Sequence, residues 1–229
     1  MDERMTDVGD HRVRVARERR GRMRKRLLDA VMASYARRLQ QGPPSVDDVI
    51  TDAGVSRATF YKYFNSLEEA MAALGRELVD EMVRSLINLY GAREDAFFRL
   101  TTGIQLFLLR SVIDPLWAAF VVRTDQLAQD SEPLMGMTRH LETAREQKLV
   151  SFLETEAAAS LTVGAMMGTI HYMVRSGNRS QAYVEDLTAM ILRGLGVDME
   201  AAREIVRQHT IFIRDVAPER LSWWRDPWS

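Results

Sequence analysis

The 229-residue chain has no cysteine, which excludes disulfides and any cysteine-based nucleophile or metal site. Six prolines and 13 glycines are few for an all-β protein of this length. No sustained alternation of apolar and polar residues is found either, so an all-α fold is expected. The opening MDERMTDVGDHRVRV lacks the apolar stretch of a signal peptide. The most apolar run, Leu161 to Val174, is too short to span a bilayer and carries His171. A cytoplasmic chain without a membrane partner is the expectation. The four histidines, His11, His140, His171 and His209, stand in no Glu-x-x-His or His-x-x-x-His spacing. There is also no phosphate-cradling glycine loop and no Gly-x-Ser-x-Gly elbow. No cofactor, metal or catalytic group is therefore expected, and an all-helical enzyme is the weakest functional reading.

What is present is an ordinary globular balance, 46% apolar and 28% charged residues, on a chain long enough for one large or two modest domains. The net charge of -1 hides an asymmetry. Residues 1–65 hold 14 Lys+Arg against nine Asp+Glu, whereas the remainder holds 17 against 23. A basic front joined to an acidic body suits a nucleic-acid binder whose remaining surface is kept off the phosphates.

The most informative stretch is Ser45 to Phe64, SVDDVITDAGVSRATFYKYF. Ser45 is placed to cap a helix, with Asp48 answering it three residues on. Val46, Val49, Ile50 and Ala53 then form an apolar stripe at helical spacing. Gly54 supplies the left-handed conformation that a turn between helices needs. Ser56 is a second N-cap, and the helix it opens buries Phe60 and Phe64 while Arg57, Thr59, Tyr61, Lys62 and Tyr63 are left to point elsewhere. Two short helices about a glycine turn read as a DNA-reading unit.

Before this unit, residues 1–19 are polar and read as a disordered basic arm, either a solvated tail or an arm that neutralises phosphates. A first helix is expected from about Arg20 to Leu39, carrying Leu27, Leu28, Val31 and Tyr35 on one face and ended by the Gln41 to Pro44 turn. A DNA-binding domain over 20–65 follows. A long fourth helix starts near Ser66 and runs to about Tyr90. The body, residues 66–217, continues with helices at about Arg93 to Ile113, Leu116 to Ala128, Pro133 to Phe152, Glu154 to Arg175, Gln181 to Leu195 and Met199 to Val216. The last is stopped by Pro218. Residues 218–229 form a tail with three of the four tryptophans, expected to clamp onto the body or to cover a pocket mouth.

The order of a first helix, the motif AGVSRATFYKYF within SVDDVITDAGVSRATFYKYF, a long connecting helix and about six more resembles the tetracycline-repressor (TetR) family of bacterial transcription regulators. The resemblance implies a three-helix helix-turn-helix domain followed by a helical ligand-binding and dimerisation domain, nine to ten helices in all. It implies a homodimeric, ligand-responsive repressor that binds a palindromic DNA operator and is released by a small-molecule inducer as helix four moves. By position, Thr59 and Tyr61 would hold the phosphate backbone, Lys62 and Tyr63 would make further backbone or base contacts, and Arg57 and Ala58 would read bases, with Ser45 at the start of helix two also on the DNA side. Arg57 suits a guanine edge and Ala58 a thymine methyl. Three positions depart from the family pattern. Leu67 replaces a phosphate-binding lysine, Asp47 stands where a basic residue is common, and Ile50 where alanine is.

The small residues of helix 154–175 permit close helix approach, and the family pairs its last long helices across a two-fold axis. A two-fold reader needs such a dimer to set its recognition helices about 34–36 Å apart. Leu161, Gly164, Ala165 and Gly168, with Leu187, Ile191 and Gly194 of the next helix, are the candidate dimer residues. An ordinary intrachain core is the competing reading. In this family the middle helices enclose an inducer pocket, for which Phe107, Arg110, Trp117, Phe120, Arg123, Met135, Met137, His140, Met167 and His171 are candidates, although most such residues are simply core. Arg110, inside an apolar helix, needs an anionic partner, either an internal carboxylate or a ligand. An adaptor whose body binds a partner protein remains the alternative, and a solid body without a cavity would favour it.

Overall fold

A computed structural model describes residues 3–38, 42–124 and 132–229, with side chains described from residue 14 onward. Among the described residues there are ten helices and no strand: α1 Glu3–Arg37, α2 Val46–Ala53, α3 Arg57–Tyr61, α4 Leu67–Tyr90, α5 Ala96–Ile113, α6 Pro115–Val121, α7 Glu132–Glu146, α8 Thr155–Ser176, α9 Gln181–Gly194 and α10 Met199–Arg220. The chain divides into two compact units, one ending at Leu74 and one beginning at Gly75. The division falls inside α4, where a boundary between residues 65 and 66 was expected.

The first unit forms around α1 and α2. Ser45 and Asp48 make a reciprocal capping box, the side-chain hydroxyl taking one orphan amide and the carboxylate another. Hydrogen bonds from Ser45 hold the Asp48 carboxyl below its usual range, and Arg38 adds to the effect. Gly54 sits at φ 59°, ψ 45°, and its amide and that of Val55 close the C-terminus of α2. Helix α3 has only five residues, too few to persist alone. It is held by its Ser56 cap and by Phe60 and Phe64, 0% and 3% exposed, each such burial worth about 2–3 kcal/mol.

Residues 3–19, expected as a disordered arm, continue α1. The segment has no proline and is rich in arginine, a good helix former, so nothing in it stops the helix from running on. Leu39 and Gln41 lie outside the described residues.

In the second unit α5 is the central helix. Thirteen of its 18 residues are buried, and it contacts α6, α7, α8, α9 and α10, as a helix apolar on nearly every side must. Asp95 caps it, accepting from the Phe98 amide at 2.5 Å. Asp114 closes it and caps α6, which has Pro115 in its first turn. The sixth expected helix extends into 125–131, outside the described residues. Pro218 lies inside α10 rather than ending it. So close to the C-terminus it forfeits little of the hydrogen-bond ladder, and the helix ends at Arg220. By length and composition alone α5 and α8 are apolar enough to cross a membrane. The window in α5 is 72% buried within the protein, which accounts for its apolarity.

Candidate functional site

On α3 and the two residues after it, Arg57, Ala58, Tyr61 and Lys62 are exposed, and Thr59 and Tyr63 are half-buried. The Thr59 amide donates to Ser56 Oγ at 3.1 Å and its hydroxyl lies 2.9 Å from the same atom. The N-terminal turn of the helix is thus fixed by its own cap. Tyr61 packs edge-on against Phe60 with ring centroids 5.5 Å apart, while the residue as a whole stays 47% exposed. Ser45 is exposed, but its hydroxyl is engaged in the α2 cap.

The acidic residues of α2 are each matched by an arginine. Arg57 Nη2 donates to both carboxylate oxygens of Asp47 at 2.8 Å. Arg38 pairs with Asp48 at 2.6 Å, and Arg37 pairs with Asp52. Asp47, expected to repel phosphate or face away, faces the guanidinium of Arg57. Leu67 is buried, 8% exposed, and so fills a core position where a lysine was the family expectation.

The second unit holds a cavity of about 280 Å³. Its walls come from α4 (Leu78, Val79, Met82, Val83, Leu86, Ile87 and Tyr90), α5 (Arg99, Leu100, Gly103, Ile104 and Phe107), Trp117 of α6, the N-terminal half of α7, and Val163, Met166 and Met167 of α8. Most of the lining is aliphatic, aromatic or thioether, with a few polar groups, the usual make-up of a small-molecule site. Tyr90 donates to the Arg99 carbonyl at 2.9 Å, and burial pushes its phenol well above the ordinary value. His140 stands edge-on to Tyr90, ring centroids 6.2 Å apart. Burial lowers its pKa, and Arg99 and Arg139 lower it further, so the imidazole is neutral at physiological pH.

Of the pocket candidates, Phe107, Trp117, Met137, His140 and Met167 line this cavity. Arg110 does not. It is 7% exposed, pairs with Glu81 at 3.1 Å and Asp114 at 3.3 Å, and lies over Trp223 at 4.5 Å, so its anionic partners are internal. Phe120 is fully buried but does not line the cavity. Arg123 is half-buried and outside the lining. His171 is exposed on α8, and Met135 is 50% exposed on α7. Both fall on helix faces turned from the cavity. Tyr90, Arg99, Gly103 and Arg139 were missed, as was the whole α4 wall. The signal was there in α4, whose apolar positions 78, 79, 82, 83, 86 and 87 come in adjacent pairs. Such a stripe is wider than one neighbouring helix can cover.

The three tryptophans of the tail stay on the body without entering the cavity. Trp223 Nε1 donates to Ser85 Oγ at 2.9 Å, Trp228 Nε1 donates to the Arg179 carbonyl at 2.8 Å, and Asp226 pairs with Arg214 at 2.6 Å. On α8 and α9, Leu161, Gly164, Gly168 and Gly194 are exposed and Ala165 and Leu187 half-buried, beside exposed Tyr172 and Met190. A Cβ added at Gly164 or Gly168 would meet nothing within 4 Å. Ile191 is 3% exposed and faces the intrachain core instead. Among the described residues no group of three or more His, Asp or Glu side chains is placed to hold a metal ion.

Residues 99–208 match the family described as "Tetracyclin repressor-like, C-terminal domain". A comparison with curated protein sequences gives no match. Among solved structures, RolR in complex with resorcinol is 19% identical, with 82% of this chain and 95% of that chain covered at a TM-score of 0.61. The fatty acid degradation regulator FadR from Bacillus halodurans is 20% identical, with 75% and 98% covered and a TM-score of 0.61. A TetR-family transcriptional regulator from Pectobacterium atrosepticum is 22% identical, with 78% and 96% covered and a TM-score of 0.53. At these identities the likeness to solved structures is one of fold. Residues 99–208 thus carry a tetracyclin repressor-like C-terminal domain, and the capped helix-turn-helix and the order of ten helices among the described residues are in keeping with it.

Proposed function

We propose that the protein is a homodimeric transcriptional repressor that binds a palindromic operator through α3 and is released by a small-molecule inducer taken up in the second unit. The observation that carries this reading is the coexistence in one chain of a capped, solvent-facing α3 with a largely apolar cavity of about 280 Å³. In RolR a cavity-sized aromatic, resorcinol, accompanies the same fold, which supports a small organic ligand here. Arg57 and Ala58 would meet base edges, and Thr59, Tyr61, Lys62 and Tyr63 the backbone. Copies would pair through the exposed small-residue strip of α8 and its neighbours on α9, a self-complementary patch being what a two-fold interface needs. The protein would act in the cytoplasm, where its operator is. An inducer acts only if it binds the DNA-free state more tightly than the DNA-bound one.

The adaptor reading loses its main support because the body is not solid. The test is a gel-shift with DNA from upstream of the protein's own gene. Salt-sensitive binding to one palindromic segment, with a dimer's stoichiometry, is expected. Binding that ignores sequence at moderate salt would overturn the reading.

A further inference from the structure

The cavity has a polar end and an apolar end. Tyr90 meets Arg99 while Glu81 meets Arg110, so α4 and α5 run antiparallel. The lining positions of α4 from Leu78 to Tyr90 extend over about 18 Å at 1.5 Å per residue. At the Tyr90 end are Arg99, Arg139 and His140, close enough together that both guanidinium groups act on the imidazole. Toward the other end, Phe107 and Trp117 stand edge to face, 5.0 Å between ring centroids. At roughly 30 Å³ per water-sized group, the cavity of about 280 Å³ accommodates on the order of ten non-hydrogen atoms.

The charges at the polar end are not balanced. Among the described residues neither Arg99 nor Arg139 has a carboxylate partner. Arg99 spends its Nε on the Arg93 carbonyl at 2.7 Å and lies 5.5 Å from the Tyr90 ring centroid, which leaves its terminal nitrogens without an anion among the described residues. Among the described residues the cavity's one carboxylate, Glu132, is exposed and pairs with neither arginine. His140 has no hydrogen bond to its ring nitrogens among the described residues. Two cations and a neutral imidazole therefore converge on an apolar chamber whose described residues supply them no counter-ion, and elsewhere on this chain arginines of the second unit such as Arg110 and Arg214 do find one.

Building on the regulator reading, we propose that the inducer is an organic monocarboxylate with an apolar body of about the size of a seven-carbon chain or a phenylethyl group. Its carboxylate sits among Arg99, Arg139 and His140, and its body extends along α4 toward Phe107 and Trp117. Guanidinium groups at the edge of a low-dielectric chamber favour a carboxylate over a neutral hydroxyl by charge-assisted hydrogen bonds, and they repel an ammonium. The aromatic and methionine walls accept either a flat or a flexible body.

Calorimetric titration of the full chain with octanoate, octan-1-ol and octan-1-amine, and with 3-phenylpropanoate and its alcohol and amine counterparts, tests the assignment. Each carboxylate is expected to bind at least tenfold more tightly than its alcohol, the amine more weakly still, and Arg139→Gln to collapse the difference between acid and alcohol. The two probe series separate an aliphatic from an aromatic body. Because Arg139 is exposed, its substitution leaves the fold standing; Arg99→Gln supplies an independent variant. An alcohol or amine that binds as well as the acid, a preference that survives both substitutions, or no binding by any probe overturns the carboxylate assignment. The regulator reading is judged separately, by operator binding of the unliganded chain.

Discussion

Asp47 and Arg57, ten residues apart on successive helices, face each other with a single guanidinium nitrogen 2.8 Å from both carboxylate oxygens. The pair is exposed on both sides, so its worth to stability is small. Its consequence is for recognition, because a tethered guanidinium presents fewer orientations to a base edge. Asp47→Asn is expected to tighten binding to arbitrary DNA severalfold, through loss of a negative charge at the phosphate-facing surface, and to reduce the ratio of operator to arbitrary binding about tenfold. Fluorescence anisotropy with operator and scrambled duplexes at several salt concentrations reads both effects. An unchanged ratio would leave Asp47 as a bystander.

The N-terminal part of α1 carries exposed Arg17, Arg19 and Arg20. If this segment neutralises phosphates, deleting residues 1–19 weakens operator binding and flattens the plot of log affinity against log salt by about 0.9 for each phosphate no longer neutralised. Equal slopes for the full and shortened chains would rule the segment out as a DNA-binding element.

Gly103 sits where a Cβ would come within 2.9 Å of the Tyr90 hydroxyl. In mid-helix an alanine gains about 1 kcal/mol in propensity, but the clash costs about 1–3 kcal/mol, so Gly103→Ala alone is expected to be neutral to destabilising. With Tyr90→Phe in the background the obstruction is gone, and the same substitution should raise stability. A double-mutant cycle by urea denaturation should give a coupling of about 1–2 kcal/mol. Additive effects would mean that the ring has another route out.

His209 lies 4.8 Å from the Phe98 ring, and burial, with Arg93 nearby, brings its pKa down to about 4. Asp95 pulls weakly the other way. The unfolded chain therefore takes up the proton first as pH falls. The stability held in the neutral imidazole is intact above about pH 6.5 and drains away toward about pH 4, by on the order of 2 kcal/mol after allowance for partial exposure. His209→Gln should flatten stability against pH in that window relative to the parent. A parallel curve for the variant would refute the assignment.

Arg110 is enclosed by Glu81, Asp114 and the Trp223 ring. Arg110→Ala removes a buried guanidinium from two carboxylates that are themselves 36% and 26% exposed, and is expected to cost about 1–3 kcal/mol, since water screens the charges left behind. Adding Glu81→Gln should recover part of that loss, because one of the stranded charges disappears. Chemical denaturation of the single and double variants measures the recovery, and none would argue against this role of Glu81.

Local rules carried the sequence reading where the chain signals its own geometry. Ser45 with Asp48, Gly54 and Ser56 are caps and turns written in a few adjacent residues, and the structure has them as read. The cavity was less legible because it depends on what does not touch. Phe107 and Phe120 are alike in sequence, an aromatic in an apolar helix, yet one lines empty space and the other is packed solid. The α4 wall was overlooked because a long helix following a DNA-reading unit was read for its length and not for the width of its apolar face. Arg110 announced a need for an anion, but Glu81 lies 29 residues away, and no local rule pairs residues at that distance.

The bare strip around Gly164 and Gly168, with Leu161 at 47% and Met190 at 54% exposure nearby, makes dilution an experimental variable. Where copies close over such a strip, folding and association share one equilibrium, and the melting midpoint climbs with the logarithm of protein concentration. If the chain binds its operator as such a pair, titrations at nanomolar protein would report two affinities at once, and the cell's copy number of this chain would set how much of it is competent to bind.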